Sequence, residues 1–235
     1  MRLLPACLLS SVIVACALPA CAQRVPNQLS EQDRAEGWRL LFDGRTTAGW
    51  RGYRAEAVSG GWKVIDGTLS RVGDGGDIIT EEQFSSFELA LEWRIGPGGN
   101  SGIFFHVVED PALTYVWESG PELQILDDQA HRDGLKPETS VGSNYALHAR
   151  TSDVARPVGE WNEARIIVRS DQVEHWLNGT RIVAYQLGSE DWQERVRASK
   201  FRDMPKYGLA RRGHIALQDH GDPVSFRNIR IRELP

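Results

Sequence analysis

Residues 120–131 read GPELQILDDQAH, and their alternation sets the fold. Successive side chains of a strand point to opposite faces, so Leu123 and Ile125 enter a core while Glu122 and Gln124 share the other face. Residues 213–221, GHIALQDHG, repeat the arrangement, with Ile215 and Leu217 inward and Gln218 and His220 outward. The same parity in GIFFHV (102–107) puts Ile103 and Phe105 in the core and Phe104 and His106 outside it. In NYALHA (144–149) it turns Tyr145 and Leu147 inward and Asn144 and His148 outward.

Short apolar or alternating runs separated by Gly, Asp and Asn recur on either side of these stretches, from WRLLF to VSFRNIRIREL. Asp66-Gly67 and Asn178-Gly179 each lie between two such runs and favour the positive φ angles of tight hairpin turns. SEDWQERVRASKF, beginning at Ser189, is the one helical segment: it has a Ser N-cap, an acidic first turn, and Trp192 and Val196 four apart on one face. The pattern predicts an all-β fold, an antiparallel two-sheet jelly-roll sandwich over residues 37–235, with a single short peripheral helix between Ser189 and Lys200. Residues 23–36 are polar and read as a loose N-terminal arm.

Residues 1–22 carry a single Arg, an apolar run, and Ala20 and Ala22 in an A-x-A pattern ahead of Gln23, which reads as a secretory signal peptide. The apolar run is too short for a membrane span. A periplasmic or secreted location follows, and the lipobox-like stretches ending at Cys16 and Cys21 leave lipoprotein anchoring open. All three cysteines, Cys7, Cys16 and Cys21, lie in this leader, so the mature chain needs no disulfide, thiolate ligand or cysteine nucleophile. The formal charge of −5 becomes −6 once Arg2 is removed. A mildly acidic chain with interspersed charges argues against nucleic acid or an anionic membrane as partner.

Along LFDGRTTAGW, GWKVIDGTLS, FELALEWRI, GGNSGIFFHV, WESGPELQILDDQAH, GEWNEARIIV, VEHWLNG, SKFRDMPKYG and GHIALQDHGDPVSFRNIRIREL, the chain resembles the bacterial 3-keto-disaccharide hydrolase domain family. The resemblance spans Gly37 to Leu234, and ELQILDD, EHWLNG and LQDHG are its most specific parts. It implies a concanavalin A-like lectin/glucanase fold. It also implies cleavage of glycosides whose sugar has first been oxidised to a 3-ketone, so the substrate is an oxidised sugar and a separate sugar 3-oxidoreductase is the pathway partner upstream.

A ketone at C3 acidifies the C2 proton; its removal lets the C1 oxygen leave, and water completes a net hydrolysis. The route needs a base, an acid for the leaving oxygen and a group that stabilises the enolate. His220, Glu122 and His106 are the catalytic candidates, with His220 ranked first as base because imidazole titrates nearest neutrality. Gln124, Gln218, Asp127, Asn144, His148 and Trp176 are the substrate-binding candidates, and Phe104 is a second candidate for stacking on a sugar ring. Asp127, Asp128, His131, Asp219 and His220 fall at strand ends, where Asp and His together could hold a divalent metal against the ketone oxygen. His175, by parity, faces the core as a structural histidine. The competing reading is a non-catalytic carbohydrate-binding module of the cell envelope. Ordinary hydrolysis through a carboxylate pair fits less well, since Gln124 stands where a second acid would alternate with Glu122.

Overall fold

The computed structural model describes residues 25–235, so the expected signal peptide lies outside the described residues. In chain order come α1 (Glu31–Ala35), β1 (Arg39–Leu40), β2 (Trp50–Gly52), β3 (Trp62–Ile65), β4 (Thr68–Arg71), β5 (Ile78–Thr80) and β6 (Phe87–Ile95). They are followed by β7 (Asn100–Val107), β8 (Glu122–Leu126), β9 (Asn162–Arg169), β10 (Gln172–Leu177), β11 (Thr180–Gln186), α2 (Glu190–Ala198), β12 (His214–Leu217) and β13 (Val224–Glu233). Eight strands form one sheet in the order β11-β10-β9-β6-β13-β4-β3, with β1 added on β13; the other five form a second sheet, β2-β5-β12-β7-β8. The chain is thus the antiparallel two-sheet sandwich that the alternation predicts. Both hairpin dipeptides adopt the expected left-handed backbone, with φ of 48° and 74° at Asp66 and Gly67 and of 48° and 82° at Asn178 and Gly179.

The core lies between the sheets. Leu89, Leu91 and Trp93 of β6 and Phe226 of β13 meet Ile103, Phe105, Leu123, Ile125, Ile215 and Leu217 of the smaller sheet, all buried. A second, smaller cluster of Ile79, Phe104, Val116 and Ala216 sits on the far face of the smaller sheet, beneath the loop around Val116. Phe104 is therefore a packing residue. Toward β8 the same face carries polar side chains, Gln124 and Glu122 among them.

Ser189 caps α2 by accepting from the Trp192 N–H at 3.2 Å. The helix seals one end of the core, because Trp192 joins a column of stacked rings. Centroids lie 3.9 Å apart for Phe201–Tyr207, 5.8 Å for Tyr207–Trp192, 5.4 Å for Trp192–Tyr185 and 4.8 Å for Tyr185–His148. The short turn Lys200–Asp203 that follows α2 is anchored by Phe201 in this column, which fixes where Lys200 stands. Trp192→Ala is expected to cost about 3–5 kcal/mol. A urea midpoint unchanged from wild type would show that the column carries no such load.

From residue 25 onward the N-terminal arm makes defined contacts with the sandwich. Ser30 and Asp33 form a reciprocal capping box that starts α1. The backbone N–H of Asn228, at a bulge in β13, donates to the Asn27 side-chain oxygen at 2.8 Å, while the Asn27 amide donates to the carbonyl of Gly67 at 2.8 Å. Arg230 and Arg232 lie over the Trp38 ring at 5.1 and 4.9 Å from its centroid. The arm therefore runs across the outer face of the larger sheet.

Candidate active site

The register of the smaller sheet places Leu217 opposite both Ile78 and Ile103, and Ile103 opposite Leu123. All four are core residues, so their neighbours along each strand line the far face. Asp77, Gln218, Gly102 and Gln124 form one row across that face, and Glu122 stands one step along β8. The Glu122 side chain folds back into the row: a Cβ placed on Gly102 would lie 2.1 Å from Glu122 Oε1. Its carboxyl occupies the space a larger residue at 102 would fill, and Glu122 is only 6% exposed.

Burial sets the chemistry of this row. It pushes the Glu122 carboxyl up to about 8, with the Lys200 charge opposing and the Asp77 and Asp133 charges adding to the rise. Burial likewise raises Asp77 to about 6, against the lowering effect of a hydrogen bond from the Asp219 N–H at 2.9 Å. Between the two carboxyls, Gln218 is 9% exposed and its Oε1 has no partner among the described residues. A buried amide oxygen left unpaired costs free energy until a donor reaches it. A sugar hydroxyl is such a donor.

Lys200 borders the row. The residue as a whole is exposed, but its ammonium end is crowded by rings, lying 4.3 Å from the Tyr145 centroid, 5.1 Å from Phe201 and 5.7 Å from Trp117. This desolvation pulls its pKa down, while the charges of Glu122 and Asp133 hold it up. Tyr145 donates its hydroxyl to Asp133 at 2.9 Å. A cavity of about 500 Å³, lined by Arg132, Asp133, Lys136, Tyr145 and Lys200, opens beside them and is in the size range of small-ligand sites.

His220 is exposed at the end of the same strands, with Nε2 3.4 Å from the Asn100 amide and its ring edge-on to His131 at 6.3 Å. His131 Nδ1 accepts from the Asp133 N–H at 3.2 Å, so both histidines belong to the rim of the row and not to its centre. Glu122, Gln124 and Gln218 thus share one face, as parity predicts, and His220 closes one end. Gln124 lies deepest of these, donating to the carbonyl of Thr139 at 3.5 Å.

Four expected site residues lie elsewhere. His106 departs because the β7–β12 register slips between His214 and Ala216 and His106 takes a left-handed φ of 52°, which resets the alternation. Its ring packs against Phe105 and Phe87 with Nε2 2.8 Å from the Ser85 carbonyl, and burial lowers its pKa. Asn144 and His148 are turned the other way round from the expectation. The strand-like segment holding Asn144 pairs with the edge of β8, opposite Leu123, so Asn144 faces inward and Tyr145 outward. Asn144 donates to His148 Nδ1 at 2.9 Å, and His148 Nε2 reaches Asp191 at 3.0 Å at the end of the ring column. Trp176 is on the outer face of the other sheet, its indole N–H bonded to Glu174 at 2.8 Å.

The strand-end acids are committed to structure. Asp127 accepts from the N–H of Gly98 at 2.7 Å and of Gln129 at 3.0 Å; Asp128 accepts from Val141 N–H at 2.8 Å. Asp219 holds Arg71 at 2.7 Å and the N–H groups of Gly75 and Gly76. Among the described residues, no three His, Cys, Asp or Glu side chains come together in a way that could hold a metal ion. His175 is the satisfied core histidine that parity predicts, with Nδ1 3.2 Å from the Gly142 carbonyl and Nε2 3.3 Å from the Tyr185 hydroxyl.

Asp77, Lys200, Tyr145 and Gly102 were not among the sequence candidates. Asp77 precedes Ile78 and Ile79, and two adjacent isoleucines hide which face is buried. Lys200 follows a helix, where strand parity does not apply.

An acid that keeps its proton at neutral pH, set beside an amide oxygen awaiting a donor, is equipped to react with a polar ligand and not merely to stack on one. On a two-sheet antiparallel sandwich, such a row suits an enzyme acting on a polar, hydroxyl-rich ligand. The chain belongs to the family described as the 3-keto-alpha-glucoside-1,2-lyase-like domain, whose model matches residues 37–232. It is 36% identical over 231 residues to a 3-keto-disaccharide hydrolase of Bacteroides thetaiotaomicron, covering 85% of this chain and 79% of that protein. Among solved structures, it is similar to a protein of Parabacteroides distasonis described as a glycosyl hydrolase, with a TM-score of 0.86 and 37% identity over 90% of this chain and all of the other. A second protein so described from that organism gives a TM-score of 0.66 and 25% identity, covering 84% of this chain and 99% of the other. Among the described residues, no helix is long and apolar enough to cross a membrane.

Proposed function

We propose that the protein cleaves 3-keto-glycosides, 3-keto-disaccharides among them, by removing the C2 proton and expelling the C1 substituent, with water then adding at C1. The observation that carries this reading is the buried Glu122 carboxyl, raised to about 8 within a face that also holds an unpartnered amide oxygen. At neutral pH such a group holds a proton that it can give to a departing glycosidic oxygen. Once ionised, it is placed to take a proton from the incoming water. The Lys200 ammonium, crowded by rings, is the group to meet the negative charge that develops on the C3 oxygen. Gln218 and Gln124 bind sugar hydroxyls, and His220 with His131 frames the outer end of the cleft. The substrate must come from an enzyme that oxidises the sugar at C3. A periplasmic or secreted location, with or without a lipid anchor, fits the leader read in residues 1–22.

The test is incubation in D₂O with a glucoside and with its 3-keto derivative, each with and without chelator. Aglycone is expected only from the keto compound, with deuterium at C2 of the released sugar, and the chelator arm reads whether a divalent metal takes part. Release without C2 deuterium would rule out the elimination, and equal release from the unoxidised glucoside would restore ordinary carboxylate-pair hydrolysis.

A further inference from the structure

We infer that Asp77 is the base that removes the C2 proton, acting from the side of the cleft opposite Glu122. The inference rests on the proposed cleavage of 3-keto-glycosides and adds its missing proton acceptor. Asp77 lies just ahead of β5, and the pairing of Ile78 with Leu217 and of Leu217 with Ile103 places it across from Gln218, two strands from Gly102. Glu122 sits on Gly102, so the two carboxyls flank Gln218 on one face, about two strand spacings or ~10 Å apart in backbone terms. A pyranose ring bridging the two carboxyls would lie over Gln218, whose Oε1 has no partner among the described residues and would meet a hydroxyl.

The Asp77 carboxyl is held but not consumed. Oδ1 accepts from the Asp219 N–H, and among the described residues Oδ2 receives no protein hydrogen bond. The ionisable groups facing it are Asp219 from the loop after β12, whose charge adds to the rise, and Glu122 from β8. Arg71 of β4 is directed to Asp219, Asp74 and the Gly221 carbonyl, so it serves Asp219 and leaves Asp77 unpaired. A carboxyl raised to about 6 in this setting is ionised at neutral pH yet basic enough to accept a carbon-bound proton. His220, the other candidate, stands exposed at the rim beside Asn100.

The steps balance. Asp77 takes the C2 proton, and the C–H electron pair forms the C2–C3 enolate. The enolate collapses, the C1–O bond breaks, and the leaving oxygen takes the Glu122 proton. Water adds to C1 while giving a proton to Glu122, and the renewed enolate takes a proton at C2 from Asp77.

Asp77→Asn keeps an oxygen to accept the Asp219 N–H, so the fold should survive, which a thermal midpoint within a few degrees of wild type would confirm. With a 3-keto-glycoside, the variant is expected to lose about 10²-fold or more in both aglycone release and C2 deuterium exchange. The acidic limb of kcat/KM near pH 6 should vanish with it. His220→Ala should keep that limb and lose less than about tenfold. Retention of wild-type exchange by Asp77→Asn, or loss of the limb in His220→Ala instead, would overturn the assignment. A wild-type protein that neither cleaves nor exchanges the keto substrate would overturn the parent reading, and Asp77 as its base along with it.

Discussion

Glu122→Gln is expected to lower release of a poor leaving group from a 3-keto-glycoside by about 10²-fold or more, while C2 exchange persists. The same substitution should make the protein more stable in alkali. A buried carboxyl raised from 4.5 to about 8 disfavours its own ionised form, so its contribution to stability is intact below the unfolded value and lost as pH rises through the folded one. Above about pH 8 the wild type therefore bears the cost of a buried carboxylate, on the order of a few kcal/mol and reduced by the Lys200 charge. Glutamine bears no such cost. Melting temperatures taken at pH 5 and pH 9 should diverge in favour of the variant at the higher pH. A difference that stays constant with pH would show that Glu122 titrates as an ordinary surface acid.

Gly102→Ala should be nearly as damaging to turnover, although it removes no reacting group. Its new Cβ would lie 2.1 Å from Glu122 Oε1, 2.9 Å from Cδ and 3.0 Å from Cγ, so the carboxyl must swing off the row. The backbone at 102 is not in the left-handed region, and β7 can accept alanine without strain. Overpacking should cost about 1–3 kcal/mol of stability. Displacing a catalytic group by an ångström or so is enough for a loss of about 10²-fold in kcat. A variant with wild-type kcat would mean that the position of Glu122 above Gly102 has no part in catalysis. Glu122→Gln and Gly102→Ala together separate the identity of the group from its placement.

Regular alternation made much of this legible in the sequence. In ELQIL and HIALQ, the apolar residues sit on one parity without interruption, and there Glu122, Gln124 and Gln218 take the face expected of them. Parity misled wherever the backbone broke its period. The bulge and positive φ at His106 are set by pairing with β12, a partner far along the chain, and nothing local in GIFFHV announces them. The segment around Asn144 is paired at its edge and then turns tightly through Ala146, with φ 59°, so four residues could not establish which side was inward. Trp176 does alternate as expected, but alternation alone does not say which of two sheets a strand joins. Lys200 is brought to the cleft by the ring column that anchors Phe201, a tertiary effect. Gly102 contributes by having no side chain, which a search for reactive groups passes over.

The route of the arm fixes the orientation of anything joined ahead of it. Val25 onward is pinned to the back of the larger sheet through Asn27, Asn228 and Gly67, while the proposed cleft opens from the far side of the smaller one. The whole thickness of the sandwich separates the two. A purification handle or a surface linkage placed before residue 25 would therefore hold the molecule from behind, leaving the mouth of the cleft facing solution, and immobilised protein should take up dissolved sugar as readily as free protein does.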